Sequence, residues 1–154
     1  MPHKLQIVLI EPEIPNNTGS IGRLCLATQS TLHLVDPLGF EINDTQLKRA
    51  GLDYWQHLDV VRHANLDAFF ASLPKGAPLA FFSKKAKPLY SEHHYQPGSY
   101  LIFGKETKGL SEALIKQYSG QAFRIPLYDS RVRSLNLSNA VSVVVYEAIR
   151  QLGS

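Results

Sequence analysis

Three stretches of this chain carry residue types whose spacing could do chemistry. The first is Gly104-Lys-Glu-Thr-Lys-Gly109-Leu-Ser, two glycines bounding two lysines and a carboxylate. A Walker A loop ends in Gly-Lys-Ser/Thr, where the lysine reaches the terminal phosphates. Here Leu110 and Ser111 follow Gly109, so that lysine is missing and an NTPase is disfavoured. Two readings stand: an ordinary turn ahead of a helix cap, or a loop that presents backbone groups to a ligand beside Glu106. The second stretch is Asn17-Thr-Gly19-Ser-Ile-Gly22-Arg23. It lacks the Gly-x-Gly-x-x-Gly spacing of a dinucleotide site. Its Gly-x-x-Gly matches the backbone clamp of KH domains, but that clamp lies between helices, not after a strand. Arg23 falls in the early turns of a helix, where a cation gains nothing from the helix dipole. It calls for either a carboxylate partner or an anionic ligand. The third stretch is Ser134-Leu-Asn136-Leu-Ser138-Asn139. Helix capping by Asn136 or Ser138 explains part of it. Arg131, Arg133, Ser134 and Asn139 crowd the same segment, and such donors can hold the amino, carboxylate or ribose groups of a ligand.

Other chemistries find little footing. The six histidines show no metal-ligand spacing, and no metal site is expected. His93–His94 reads as a loop pair and Cys25 as a core residue. There is no Gly-x-Ser-x-Gly elbow and no evident catalytic dyad.

The elements that must position these stretches follow from hydrophobic pattern. Leu5–Ile10 is an apolar run closed by Pro12, hence a buried strand. Asn17 or Thr18 can cap a helix to about Gln29, with Ile21, Leu24, Cys25 and Thr28 on one face. Thr31–Val35 reads as a strand. Asn43 or Asp44 opens a short helix that Gly51 can close. Val60–Arg62 is a strand, and Asn65 caps a helix containing Leu66, Phe69, Phe70 and Leu73. Leu79–Phe82 and Tyr100–Phe103 are strands; Ser111 begins a helix to about Tyr118. Ala122–Ile125 is a strand stopped by Pro126, and the last helix runs from about Asn136 to Leu152. Strands apolar on both faces, alternating with helices, imply an α/β fold with a mainly parallel sheet flanked by helices. Ligands in such sheets bind outside the carboxyl ends of the strands, which is where the three stretches fall.

The last helix has a core stripe of Leu137, Val141, Val144, Val145, Ala148, Ile149 and Leu152. Val143 and Tyr146 lie off that stripe. Either they are isolated surface residues or the helix is buried on a second side, which points to a homodimer. Length, 154 residues, suits one domain over 1–154 with no linker, repeat or low-complexity tract. With 44% hydrophobic and 19% charged residues the chain reads as globular. Its apolar runs are too short to span a bilayer, and no secretory signal is recognisable at its start. A lone cysteine fits a reducing cytoplasm. The net charge of +3 is compatible with a polyanionic partner and no more. Basic residues cluster as Lys84, Lys85 and Lys87; Lys105 and Lys108; Arg131 and Arg133. Residue chemistry alone therefore reaches an α/β protein that binds an anion or nucleotide.

Taken together and in order, three segments resemble the motifs of the SpoU branch of the SPOUT methyltransferases. They are Asn17–Arg23, Leu101–Ser111, and Arg124-Ile-Pro126-Leu continued by Ser134–Glu147. Glu11-Pro-Glu-Ile-Pro15 and Arg49–Tyr54 are similar to small bacterial members that methylate the wobble ribose of certain leucine tRNAs. The resemblance implies an S-adenosyl-L-methionine-dependent RNA ribose 2′-O-methyltransferase acting on the wobble nucleotide of tRNA. Another RNA such as rRNA, or a non-catalytic RNA-binding module, are the alternatives. It further implies a C-terminal trefoil knot that forms the cofactor site, and a homodimer through the last helix. By position, Phe82, Gly104, Ile125, Leu127, Ser134 and Asn136 should hold the methyl donor. Arg23 matches the family's catalytic arginine; Asn17, Glu106, Asn139 and Tyr146 match positions that support the active site or contact RNA. No metal is implied, because a sulfonium is already a good leaving group.

Overall fold

A computed structural model describes residues 3–43, 45, 49 and 54–153. Among the described residues six strands form a single sheet: β1 (Gln6–Ile10), β2 (Thr31–Val35), β3 (Val60–His63), β4 (Leu79–Phe82), β5 (Tyr100–Phe103) and β6 (Ala122–Phe123). Their order is β3-β2-β1-β5-β4-β6, and every pairing is parallel. Successive side chains leave opposite faces of a strand. Leu5, Ile7 and Leu9 accordingly join Leu32, Leu34, Leu101 and Phe103 in one core. Val8 and Ile10 join Val35, Phe81 and Ile102 in the other.

Helices α1 (Pro15–Ala27) and α4 (Leu137–Leu152) cover the first face, contributing Ile21, Cys25, Val141, Val144, Val145 and Ala148. Helices α2 (Leu66–Ser72) and α3 (Glu112–Gln117) cover the second through Phe69 and Leu114. Both faces are dry, as a parallel sheet requires.

The expected elements recur with informative differences. Strands β4 and β5 have the bounds read from the sequence. Asn65, Ser111 and Asn136 each cap their helix through a side-chain oxygen. The start of α1 differs: Pro15 occupies the first turn, and Asn17 and Thr18 are buried inside the helix. Proline favours that first position because its fixed φ suits the helix and it has no N–H to satisfy. The last strand is shorter than Ala122–Ile125, because Arg124 leaves β4 to bridge Leu89. The short helix expected from Asn43 or Asp44 to Gly51 lies outside the described residues.

Candidate active site

Strands β1 and β5 lie side by side at the centre of the sheet, and the chain leaves them in opposite directions. Their carboxyl ends therefore open a crevice at a topological switch point, the place where such sheets bind ligands. The loops that follow these two strands are joined there by their own side chains. Lys105 pairs with Glu11 at 2.8 Å. The Glu13 carboxylate accepts from the Thr107 backbone N–H at 3.0 Å and its hydroxyl at 2.8 Å. These bonds to Thr107, backbone first, hold the Glu13 carboxyl below its ordinary range.

Glu106 reciprocates. Its carboxylate accepts from the backbone N–H of Glu13 (2.8 Å) and Ile14 (2.9 Å) and from Asn17 Nδ2 (3.3 Å). Ile14 is the N-cap of α1 and offers no side-chain bond. The start of α1 is thus satisfied by a carboxylate from a distant loop, where the helix dipole also favours a negative charge. Asn17 and Thr18 are internal because the helix already begins at Pro15, and Glu106 fixes the backbone that leads into it.

Gly104 makes the loop possible. A Cβ there would stand 2.1 Å from the Gly109 carbonyl carbon and 2.3 Å from the Leu110 nitrogen. Gly109 turns the loop back with φ +65°, and its N–H donates to the Lys105 carbonyl at 2.8 Å. This backbone arrangement needs no side chain at either glycine.

The folded loop forms one wall of a cleft of about 790 Å³. Phe82 and Phe103, stacked with centroids 4.9 Å apart, belong to its lining together with Ile125 and Leu127. Ser134 and Asn136 line it from the segment before α4. Asn136 Oδ1 is occupied with the helix start, accepting from the N–H groups of Ser138 and Asn139. Glu106 and Glu112, the carboxylates of the lining, are both engaged, the first by α1 and the second by Lys85 at 2.9 Å. The cleft is built to bind and orient; its own carboxylates are not free to act as a base.

Of the residues singled out from the sequence, Asn17, Phe82, Gly104, Glu106, Ile125, Leu127, Ser134 and Asn136 all line this cleft. Arg23, Asn139 and Tyr146 do not. Arg23 is exposed on α1 and has no carboxylate partner among the described residues; its guanidinium lies 4.9 Å from the centroid of the Tyr54 ring. Asn139 and Tyr146 are exposed on α4. Ser83, Thr107, Leu135 and Ala140 also line the cleft; none had been given a role of its own, although Thr107 and Leu135 fall within the stretches singled out from the sequence. Their position beside the motif residues was the only signal for them. Among the described residues no group of His, Cys, Asp or Glu could hold a metal ion, and no helix is long and apolar enough to cross a membrane.

Comparison with known proteins bears on this geometry. The profile of the SpoU rRNA methylase family matches residues 4–146. A tRNA (cytidine(34)-2′-O)-methyltransferase of Yersinia pestis is 49% identical over 154 residues, covering 97% of this chain and 94% of that protein. One from Burkholderia pseudomallei is 44% identical, covering 96% and 95%. A solved structure described as "Structural insights into the 2-OH methylation of C/U34 on tRNA" superposes with a TM-score of 0.95. It is 44% identical and covers 99% of both chains. A parallel sheet, a cleft at its switch point and this extent of likeness lead to one placement: the chain belongs to the SpoU rRNA methylase family and is a methyltransferase.

Proposed function

We propose that this methyltransferase transfers a methyl group from S-adenosyl-L-methionine to the ribose 2′-hydroxyl of nucleotide 34 of tRNA, with leucine tRNAs as its substrates. The observation that carries the reading is its likeness, along nearly the whole chain, to proteins named tRNA (cytidine(34)-2′-O)-methyltransferases. The cleft fits the donor. Phe82, Ile125 and Leu127 offer apolar walls to an adenine, and Gly104, which lets the loop fold back on itself, adds backbone to the lining. Ser134 and Asn136 add polar groups at the rim. Bound there, S-adenosyl-L-methionine supplies a methyl carbon already activated by its sulfonium. The chain's part is to place the ribose oxygen in line with that carbon, which alone removes much of the barrier. Arg23 is assigned to the negative charge that develops on the oxygen as its proton leaves to solvent. A fixed cation does this without giving up a proton of its own, which an arginine does poorly.

Arg23 does not line the cleft of its own chain. We assign the missing contact to a homodimer through α4, whose Val143 and Tyr146 are 38% and 54% exposed. A second copy docked there would bring its α1 towards the cleft. Asn17 and Glu106 hold the start of α1, and Asn139 and Tyr146 extend the site along α4. The passage from β6 to α4, which lines the cleft, is the segment we expect to be threaded as a trefoil knot. The cytoplasm, where tRNA is modified, is the compartment this reading implies.

The test is transfer of tritium from labelled S-adenosyl-L-methionine to unmodified leucine tRNA, with the product mapped by mass spectrometry. We expect one 2′-O-methyl group at nucleotide 34. Arg23→Ala should abolish transfer, a loss of at least about 100-fold, while calorimetry shows donor binding unchanged. Transfer surviving the substitution removes Arg23 from the mechanism. The family description names rRNA, so methylation of rRNA in place of tRNA is the second reading, decided by the same assay.

A further inference from the structure

The basic residues sort into two groups once their partners are known. Lys85, Lys105 and Arg131 each pair with a carboxylate, Glu112, Glu11 and Asp129 respectively. Lys84, Lys87, Arg124 and Arg133 pair with none among the described residues. Two of the four meet backbone instead. Lys84 Nζ donates to the Arg133 carbonyl at 3.2 Å, and Arg124 Nε to the Lys87 carbonyl at 3.1 Å.

Three of these four cations also converge. Lys84, Lys87 and Arg124 line a second cleft of about 470 Å³ with Ala86, Ile125 and Leu127, and among the described residues no carboxylate lines it. Lys84, Ile125 and Leu127 belong to both clefts, so the two share a wall. Arg124 is held firmly. Its N–H donates to the Pro88 carbonyl at 2.9 Å, and its own carbonyl accepts from Tyr90 N–H at 2.8 Å. With Nε tied to Lys87, the terminal nitrogens of its guanidinium remain to bind a ligand. A pre-set arginine fork matches the oxygens of a phosphate in two-point geometry.

Holding like charges together without counter-charge is unfavourable unless an anion completes the site. In a cleft this open, a single small anion is screened and stays hydrated. A polyanion binds better, because each phosphate neutralised releases condensed counterions. We propose that this second cleft is a phosphodiester subsite, which grips the backbone of the substrate RNA beside the nucleotide placed in the donor cleft. The proposal rests on the RNA-methylating function above and adds where the chain holds its substrate.

Titration of a fluorescein-labelled, unmodified leucine tRNA transcript, followed by anisotropy across a range of salt concentrations, tests it. Lys87→Gln and Arg124→Gln should each weaken binding roughly 4- to 5-fold near 0.15 M salt and lower the salt slope by about 0.7 to 0.9, the loss of one phosphate contact. Arg124→Lys keeps the charge without the fork and should also bind more weakly than the unsubstituted protein. Lys75→Gln, in the turn at the amino end of β4 and so at the opposite end of the strands, should change neither quantity. Calorimetry should show the affinity for S-adenosyl-L-methionine unaltered in all four variants. The exposed Lys87 side chain makes no bond in the fold, so its substitution tests the cleft even if Arg124 proves structural. RNA affinity and slope equal to those of the unsubstituted protein would overturn the proposal, as would a loss confined to donor affinity. Failure of the underlying function is distinguishable, since the unsubstituted protein would then not bind tRNA.

Discussion

Glu106 shows how much a single carboxylate can organise. It accepts from two backbone N–H groups and one side-chain amide at the start of α1, and that helix has no cap of its own. Glu106→Gln keeps the shape but removes one acceptor oxygen and the negative charge beside the helix start. We expect a loss of about 1–2 kcal/mol in urea denaturation, the range of a lost cap and dipole partner. An unchanged midpoint would mean that water replaces the carboxylate at no cost. Glu106 was legible as a residue of interest because it sits between glycines at the end of a strand. Its role was not legible, since Glu13 and Ile14 are distant in sequence and nothing local announces the meeting. The same holds for Arg23. An arginine at that position calls for a carboxylate or an anionic ligand; among the described residues no carboxylate meets it, and its guanidinium lies over the Tyr54 ring. Cys25 was read correctly as core; burial raises its thiol pKa well above the ordinary range and keeps it unreactive.

Among the elements, β2 and β3 carry a buried pair with a measurable consequence. His33 Nδ1 and His63 Nε2 lie 2.9 Å apart, and His33 Nε2 lies 2.7 Å from Gln6 Oε1. Desolvation, reinforced by the neighbouring His63, lowers the His33 pKa to about 4; burial lowers that of His63 as well. A histidine whose folded pKa is depressed is kept neutral by the fold. Its contribution is complete above the unfolded value, about 6.5, and is lost as pH falls from there towards 4. Urea denaturation should therefore show stability declining from pH 6.5 to 4.5, by up to roughly 3 kcal/mol from His33 if its full shift is realised. His33→Gln should reduce that decline by about one proton's worth of slope; an identical pH profile would count against the assignment. Such pairs are invisible in the sequence, where His33 sits alone in an apolar strand. The strands themselves were easy to see. β4 and β5 are short apolar runs bounded by proline, glycine or serine, and local pattern sufficed. β6 was overextended because its pattern continues to Ile125, whereas tertiary contacts with Pro88 and Leu89 take Arg124 away.

At the scale of the whole molecule, sheet type and layering followed from alternation and burial, while strand order did not. The sequence order of the strands differs from their spatial order, and no local signal says that β5 lies beside β1. The off-stripe residues of α4 leave two readings, isolated surface residues or a contact between copies. Val143 and Tyr146 are exposed in the single chain, along with Leu135 and Val132 before the helix. If that face joins two copies, sedimentation of Tyr146→Asp should show a monomer where the unsubstituted protein sediments as a dimer. A variant that remains dimeric would place the contact elsewhere. The larger cleft has a further consequence for the life of the chain. Its lining begins at Ile14 and ends at Ala140, with contributions from the loops after β1, β4, β5 and β6. No early segment of the nascent polypeptide can assemble it, so affinity for a ligand arises only when folding is nearly finished. A ligand at 100 times its dissociation constant would then add about 2.7 kcal/mol to the finished fold and nothing to a partial one. Occupancy of the cleft would thus favour completed molecules over interrupted ones.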